Sequence, residues 1–355
     1  MKIKNFFYFK QYYFLDFLIY LLPIAIVIGN SAINILTFVI SIIYLLLILI
    51  KKIDYREYKK FNLIFLCLSI LFLINIFFST NQYYSFIKFL GIVKYYLIMM
   101  SILFCLENIN RFREFFLKIL ILILFLVGID TVIQFFFGED LFGFKILESH
   151  GRRLSGPFGD EYVVGAFISK LLFITMLLFN DIKFRFYNVF ILTTFFIIII
   201  LTNERAASAM FFLALIIYFT LNPNFSIKKK ILKLLLFVLL IISVFNINPQ
   251  LKKHFVERTF DQIGITKNNP EYLHNSFWDS QWGAHYLTAI EIFKNRPLFG
   301  SGADTFRFEC TKKEYEKINS VEYKNRCNTH PHNIYLEILS ETGIFIFISF
   351  VFFNI

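Results

Sequence analysis

Apolar runs long enough to cross a bilayer recur along this chain, and no other feature narrows its fold so far. Ten read as spans, near residues 14–29, 31–50, 61–79, 85–106, 115–137, 162–179, 187–202, 207–221, 231–247 and 334–355. With 57% of residues apolar, 17% charged and 50 Phe, a soluble domain could not hide them. The expectation is an all-α polytopic membrane protein in three divisions. Residues 1–247 form nine transmembrane helices with short loops, 248–333 a large, partly helical loop domain, and 334–355 a tenth helix. The first run is short and follows a lysine, as in a signal peptide, but a second run comes at once and favours a retained hairpin.

Lysine and arginine set the orientation. With the N-terminus inside, the inner segments hold 17, Lys2, Lys4 and Lys10 among them. The short outer segments hold five: Lys88, Lys145, Arg152, Arg153 and Arg205. The N-terminus is therefore expected in the cytoplasm and loop 248–333 outside. The net charge of +11 belongs to topology, and no nucleic-acid-binding module is visible. Cys67 and Cys105 fall within spans and read as buried apolar residues. Cys310 and Cys327, in the outer loop, could form a disulfide worth about 3 kcal/mol. No CxxC, P-loop or dinucleotide fingerprint occurs, and His330 with His332 makes a poor metal pair, so no cofactor or metal is expected.

The segment from His330-Pro331-His332-Asn333 to Gly343 marks the passage from the polar loop into the last apolar run. Pro331 suits the first helical position, capped by Thr329 or His330, which puts His332 in the first turn. There the positive end of the helix dipole disfavours imidazolium, and a neutral imidazole at a membrane surface is a candidate general base. The alternative is a polar interfacial residue. His332, Tyr335, Leu336, Leu339 and Gly343 would share one helical face, with Glu337 and Glu341 pointing elsewhere.

Other outer segments hold charge that a bilayer discourages. In Gly151-Arg152-Arg153-Leu-Ser-Gly156-Pro157-Phe-Gly159-Asp160-Glu161, two arginines in a Gly-rich turn could hold a phosphate, or could pair with Asp160 or Glu161. Arg205, in Thr202-Asn203-Glu204-Arg205, sits at the headgroups, where function is the first hypothesis. Lys88 and Lys94 fall in the fourth span. Lys170 lies about 13 Å below Glu161 on a helix and needs an acid partner or a wet cavity. Residues 282–293 read as an amphipathic helix, with a sharp turn after it, and Trp278 and Trp282 as packing on the membrane rim.

Taken in order, these residues resemble one family. His332-Asn333, nine residues and then Gly343 resembles the signature of bacterial O-antigen ligases, which move a polysaccharide from undecaprenyl diphosphate to lipid A-core. Arg296-Pro297-Leu-Phe-Gly300-Ser-Gly302 looks like the family's Pro-leu-xxx-Gly-x-Gly stretch. Arg153-Leu-Ser-Gly156-Pro-Phe-Gly-Asp160-Glu161 and Arg205-Ala-Ala resemble its arginine-bearing outer loops. Two departures stand out: Ile346 replaces the usual small or polar residue three after the glycine, and the sequence ends in its tenth span where about twelve are usual. The sequence is therefore expected to be either a fragment or a shortened member.

The resemblance implies a GT-C-like, metal-independent inverting glycosyltransferase of the bacterial inner membrane, its large loop periplasmic. His332 would be the catalytic base and Arg205, Arg153 and Arg152 the diphosphate ligands, with Asn333, Gly343, Lys170, Glu161 and Asp160 in support. The partners would be an undecaprenyl-diphosphate-linked glycan, lipid A-core or a second lipid-linked glycan as acceptor, and membrane lipids. An O-antigen polymerase is the nearest rival, and a protein O-oligosaccharyltransferase differs only in acceptor. Polymerases often carry Arg-x10-Gly, which no arginine here satisfies. A membrane carrier or flippase would usually show internal repeats, and none is found.

Overall fold

Helices follow one another through the computed structural model, which describes residues 14–146, 152–179, 185–221, 225–262, 277–318, 320 and 322–354. Lys2, Lys4, Lys10 and Gly151 lie outside the described residues. The order is α1 (14–20), α2 (Leu22–Ile28), α3 (Asn30–Leu49), α4 (Lys59–Phe77), α5 (Gln82–Asn108), α6 (Phe112–Phe137), α7 (Val164–Phe179) and α8 (Arg185–Leu201). Then come α9 (Arg205–Leu221), α10 (Ile227–Ile247), α11 (Pro249–Lys252), α12 (Arg258–Gln262), α13 (Gln281–Asn295), α14 (Phe306–Glu309) and α15 (Ile334–Asn354). Among the described residues there is no strand, though isolated bridge positions occur, as between Glu139 and Lys145. The protein is an all-α polytopic membrane protein.

Among the described residues, six helices are long and apolar enough to cross a membrane: Asn30–Leu49, Tyr55–Phe77, Gln82–Asn108, Phe112–Phe137, Ile227–Ile247 and Ile334–Phe352. Three shorter apolar helices, Val164–Thr175, Val189–Leu201 and Arg205–Leu221, stand where three more spans were expected. The run 14–29 is not one helix. Pro23 lacks an N–H and sits in the first turn of a new helix, and Gly29, at φ 125°, separates that helix from α3. Cys67 is exposed on α4 rather than buried, while Cys105 is buried as expected.

The chain divides into two compact units, Met1–Ile40 with Ile102–Arg258, and Ser41–Ser101 with Thr259–Ile355. In the first, α6 to α10 build the core. Leu120, Leu124 and Val127 of α6, Val164, Ile168 and Leu172 of α7, and Leu192, Phe195, Phe196 and Ile199 of α8 recur at helical spacing. They meet Phe211, Leu215 and Phe219 of α9 and Phe237 of α10. Gly128 lets α6 approach closely, since a Cβ there would stand 3.2 Å from Phe195.

In the second unit α13 packs on α15, and α15 on α4. Ala289, Ile292, Phe306, Cys310 and Tyr315 form its small buried cluster. Cys310 and Cys327 are joined by a disulfide, with Cα atoms 5.4 Å apart. α15 is broken at Gly343, whose φ is 74°. A Cβ at that position would overlap the Leu298 carbonyl, so only glycine allows the approach. The break exposes backbone groups that residues 297–302 satisfy. Ser301 N–H donates to the Ser340 carbonyl (3.0 Å), Gly302 N–H to Glu341 (2.8 Å), and Ile344 N–H to Pro297 (2.9 Å). Asn75 of α4, wholly buried, donates to the Glu341 carbonyl (2.9 Å) and accepts from Ala303 N–H (3.1 Å). The glycines of this motif and of α15 are thus one locking device.

Candidate active site

Two loops of the first unit carry the expected arginines. The first is fastened by Gln134 of α6, whose buried amide accepts from Ser155 N–H (3.0 Å) and Gly156 N–H (2.9 Å) and donates to the Phe144 carbonyl (3.0 Å). Leu154 N–H donates to the Thr202 carbonyl (3.2 Å), tying this loop to the turn before α9. In that turn the buried Glu204 accepts from Gly165 N–H (2.6 Å) and Ala166 N–H (3.2 Å), at the start of α7. Arg152 (φ 55°) and Asn203 (φ 61°) both hold left-handed backbone, a strained state for residues with a Cβ.

Positive charge gathers here. Arg205 opens α9, so its charge adds to the positive end of that helix dipole. The Arg153 guanidinium lies 5.6 Å from the Tyr162 ring centre, and its Nε meets no hydrogen-bond partner among the described residues. His254 registers the field: burial, then Arg205, Arg258 and Arg153, lower its pKa to about 4. Glu204 is the acid in this field. Burial raises its pKa, against its two backbone hydrogen bonds and the charge of Arg153. Arg152 is exposed and lines a cavity of about 80 Å³ with Asn203, Asn248 and Gln250.

Asp160 and Glu161 do not pair with Arg152 or Arg153 among the described residues, so the ion-pair alternative falls. Asp160 is exposed, and Glu161 accepts from the Asn30 amide (3.1 Å). Lys170 is exposed and, with Glu161, Asn30 and Phe158, lines a cavity of about 480 Å³. Of its two expected surroundings, acid partner or cavity, it has the cavity.

The second unit holds the histidine. His332 is not in the first turn of α15. The helix begins at Ile334, and Asn333 caps it, its Oδ1 accepting from Tyr335 N–H (3.0 Å) and Leu336 N–H (3.2 Å). Asparagine is a stronger cap than threonine or histidine, and it moved the start past Pro331. His332 precedes the cap at φ 58°. With His332 off the helix and Gly343 breaking it, the five residues expected on one face do not form one.

The imidazole is nevertheless uncharged, for a different reason. Its pKa is lowered to about 4, by desolvation first and then by His330 and His285. Trp282, expected on the membrane rim, packs edge-on against His332 with ring centres 4.7 Å apart. His330 is 4.3 Å away and His285 5.4 Å. Nε2 of His332 lies 2.9 Å from Nδ2 of Asn328. Asn328 Oδ1 accepts from Thr329 N–H (2.7 Å), so the amide nitrogen is the end that faces His332. Nε2 is therefore an acceptor, and the ring proton sits on Nδ1.

Sequence reasoning missed His254, Arg258, Glu204, Gln134, Asn328 and His285 as parts of these arrangements. The available signal was a polar residue amid apolar neighbours, strong for Gln134 and Glu204 and weak for the others. Among the described residues no group of three or more His, Cys, Asp or Glu could hold a metal ion. The Wzy_C family model, described as O-Antigen ligase, matches residues 189–351. That segment contains Arg205, His254, Arg258, His285 and His332, while Arg152, Arg153 and Lys170 precede it. No curated protein and no solved structure matches the chain.

Proposed function

We propose, for a chain whose residues 189–351 match the O-antigen ligase family model, that it transfers a glycan from undecaprenyl diphosphate to lipid A-core. The setting is a bacterial inner membrane, N-terminus in the cytoplasm and large loop in the periplasm. The observation that carries this reading is His332, exposed and uncharged, with an Nε2 lone pair that accepts from the Asn328 amide. With the acceptor hydroxyl in place of the Asn328 amide, Nε2 takes the proton of that sugar hydroxyl as its oxygen attacks the anomeric carbon at the donor's reducing end. The bond from that carbon to the diphosphate oxygen breaks, the configuration inverts, and the electron pair leaves on undecaprenyl diphosphate. Arg205, Arg153 and Arg152, joined by Arg258, bind the diphosphate through forked, charge-assisted hydrogen bonds and neutralise the charge it gains. Because the leaving group already carries the activation, the step calls for neither metal nor nucleotide.

The test is transfer by purified protein from a lipid-linked donor. His332→Ala is expected to lower the rate by about 10²–10⁴-fold, with membrane insertion and donor binding retained. Normal transfer by that variant would remove His332 from the chemistry. Offering lipid A-core and a second lipid-linked glycan together separates the two acceptors. Product on lipid A-core is expected, and growth of lipid-linked chains alone would make the protein a polymerase.

A further inference from the structure

The cavity of about 480 Å³ in the first unit lies among α2, α3, α7 and the loop that leads into α7. That volume falls within the range of small-ligand sites, about 300–1,000 Å³. The wall is apolar, with Ile33, Phe144, Phe158 and Phe167 in it, and the last two rings pack 5.1 Å apart. Three polar side chains interrupt it: Asn30, Glu161 and Lys170. The cavity opens where the first apolar run is broken. Gly29, at φ 125°, ends α2, and α3 starts afresh at Asn30. The N–H groups in the first turn of α3 therefore have no carbonyl of their own helix to bond. At this end Glu161 accepts from the Asn30 amide (3.1 Å). Lys170 stands six residues into α7 from Val164, about 9 Å along the helix. No acid among the described residues pairs with it, and a cation in an apolar wall at membrane depth calls for a counter-charge.

We propose that this cavity binds a zwitterionic phospholipid whose headgroup ends in a primary ammonium, of the phosphatidylethanolamine kind. A hydrocarbon chain alone would leave Lys170 without a counter-charge, and an anionic headgroup would bring its charge against Glu161. A zwitterion meets both, because its charges stand in the same order as those of the cavity. The ammonium, farthest from the acyl chains, faces Glu161 at the mouth. The phosphate, nearer the chains, meets Lys170, whose flexible stem can turn back toward the first turn of α3. The N–H groups of that turn, at the positive end of the α3 dipole, favour the phosphate as well. An acyl chain then lies along the apolar wall. The ligand is a lipid of the surrounding membrane rather than the glycan donor, so the inference stands whether or not the proposed transfer does.

The test uses the purified protein in phosphatidylcholine nanodiscs, with a photoactivatable lipid added at a fixed mole fraction and its adducts located by mass spectrometry. A phosphatidylethanolamine probe is expected to label residues 26–33 and 157–171 about fivefold more than a phosphatidylglycerol or phosphatidylcholine probe. The former comparison probe lacks the ammonium, and the latter has one without N–H donors. Lys170→Met is expected to abolish the preference. Glu161→Gln is expected to turn it toward phosphatidylglycerol, because the carboxylate that repels an anionic headgroup is gone. Equal labelling by the three probes would make the cavity a passive groove filled by whatever lipid surrounds it, with Lys170 merely reaching for water, and would overturn the proposal. A preference that survives both substitutions would overturn it too. The comparison among probes on the native protein needs no variant, so it decides even where a substitution prevents folding. Displacement of the phosphatidylethanolamine probe by an equimolar amount of undecaprenyl diphosphate would give the cavity to the donor's carrier instead, and the phospholipid reading would fall.

Discussion

Glu204 in the first unit and Glu341 in the second perform the same local task. Each is a buried carboxylate accepting two backbone N–H groups from a segment distant in sequence, Gly165 and Ala166 for Glu204, Asp304 and Phe306 for Glu341. Each also accompanies a non-glycine residue in left-handed backbone, Asn203 beside the one and Asp304 beside the other. What the two neighbourhoods present is opposite in character. The first gathers Arg205, Arg258 and Arg153 into a field that adds to burial in depressing His254. The second steadies the chain leading from an uncharged imidazole. Holding a diphosphate needs charge that does not depend on pH, which guanidinium supplies. Accepting a proton needs a ring that starts without one.

Removing the permanent charge should have the largest effect. Arg153→Ala with Arg205→Ala is expected to weaken donor binding about 100-fold, measured with a labelled lipid-linked glycan, and Arg205→Lys to restore it only in part because a point charge lacks the fork. The remaining affinity should fall further as salt rises. Native affinity in the double variant would end the contrast between the two neighbourhoods.

Breaking the lock in the second unit comes next. Gly343→Ala places a Cβ against the Leu298 carbonyl in left-handed backbone. A loss of at least about 1–2 kcal/mol is expected on the backbone conformation alone, read as a lower melting temperature. An unchanged melt would mean that α15 can close over the break.

The smallest effect is the sharpest test of the uncharged ring. A folded pKa of about 4 leaves His332 unprotonated as pH falls through the ordinary histidine value of 6.5. The rate of transfer should therefore hold through that range and drop only near pH 4 to 5, in a profile taken at saturating donor. Stability runs with the same sign. The unfolded chain takes the proton first, so the contribution of this neutral ring is lost as pH falls from about 6.5 toward 4. An acid limb centred near 6.5 would show His332 to be an ordinary solvated histidine.

Much of the fold was legible because a membrane span announces itself in composition alone, needing no partner to be recognised. The ten apolar runs map onto helices, and the sequence misjudged mainly where Pro23 and Gly29 cut the first of them. Arg153, Arg205 and His332 were legible because a charged or polar residue at a bilayer surface stands out against its surroundings. Arg258 and His254 were not, since in a long polar loop nothing marks one basic residue from the next.

By itself, then, the sequence determined the all-helical membrane-spanning class, the order of arginine loops, glycine motif and histidine, and the cysteine pair available for a disulfide. Each of these depends on residue type and local spacing. Only the tertiary structure decided that Asn333 rather than Thr329 caps α15, that Gly343 breaks it against Leu298, and that His332 is kept neutral by desolvation, and then by His330 and His285, rather than by a helix dipole. The cap is a choice among neighbouring residues that spacing leaves open, whereas a close backbone approach and a desolvated ring are set by segments far apart along the chain, and the spacing of residues carries no record of which segments will meet.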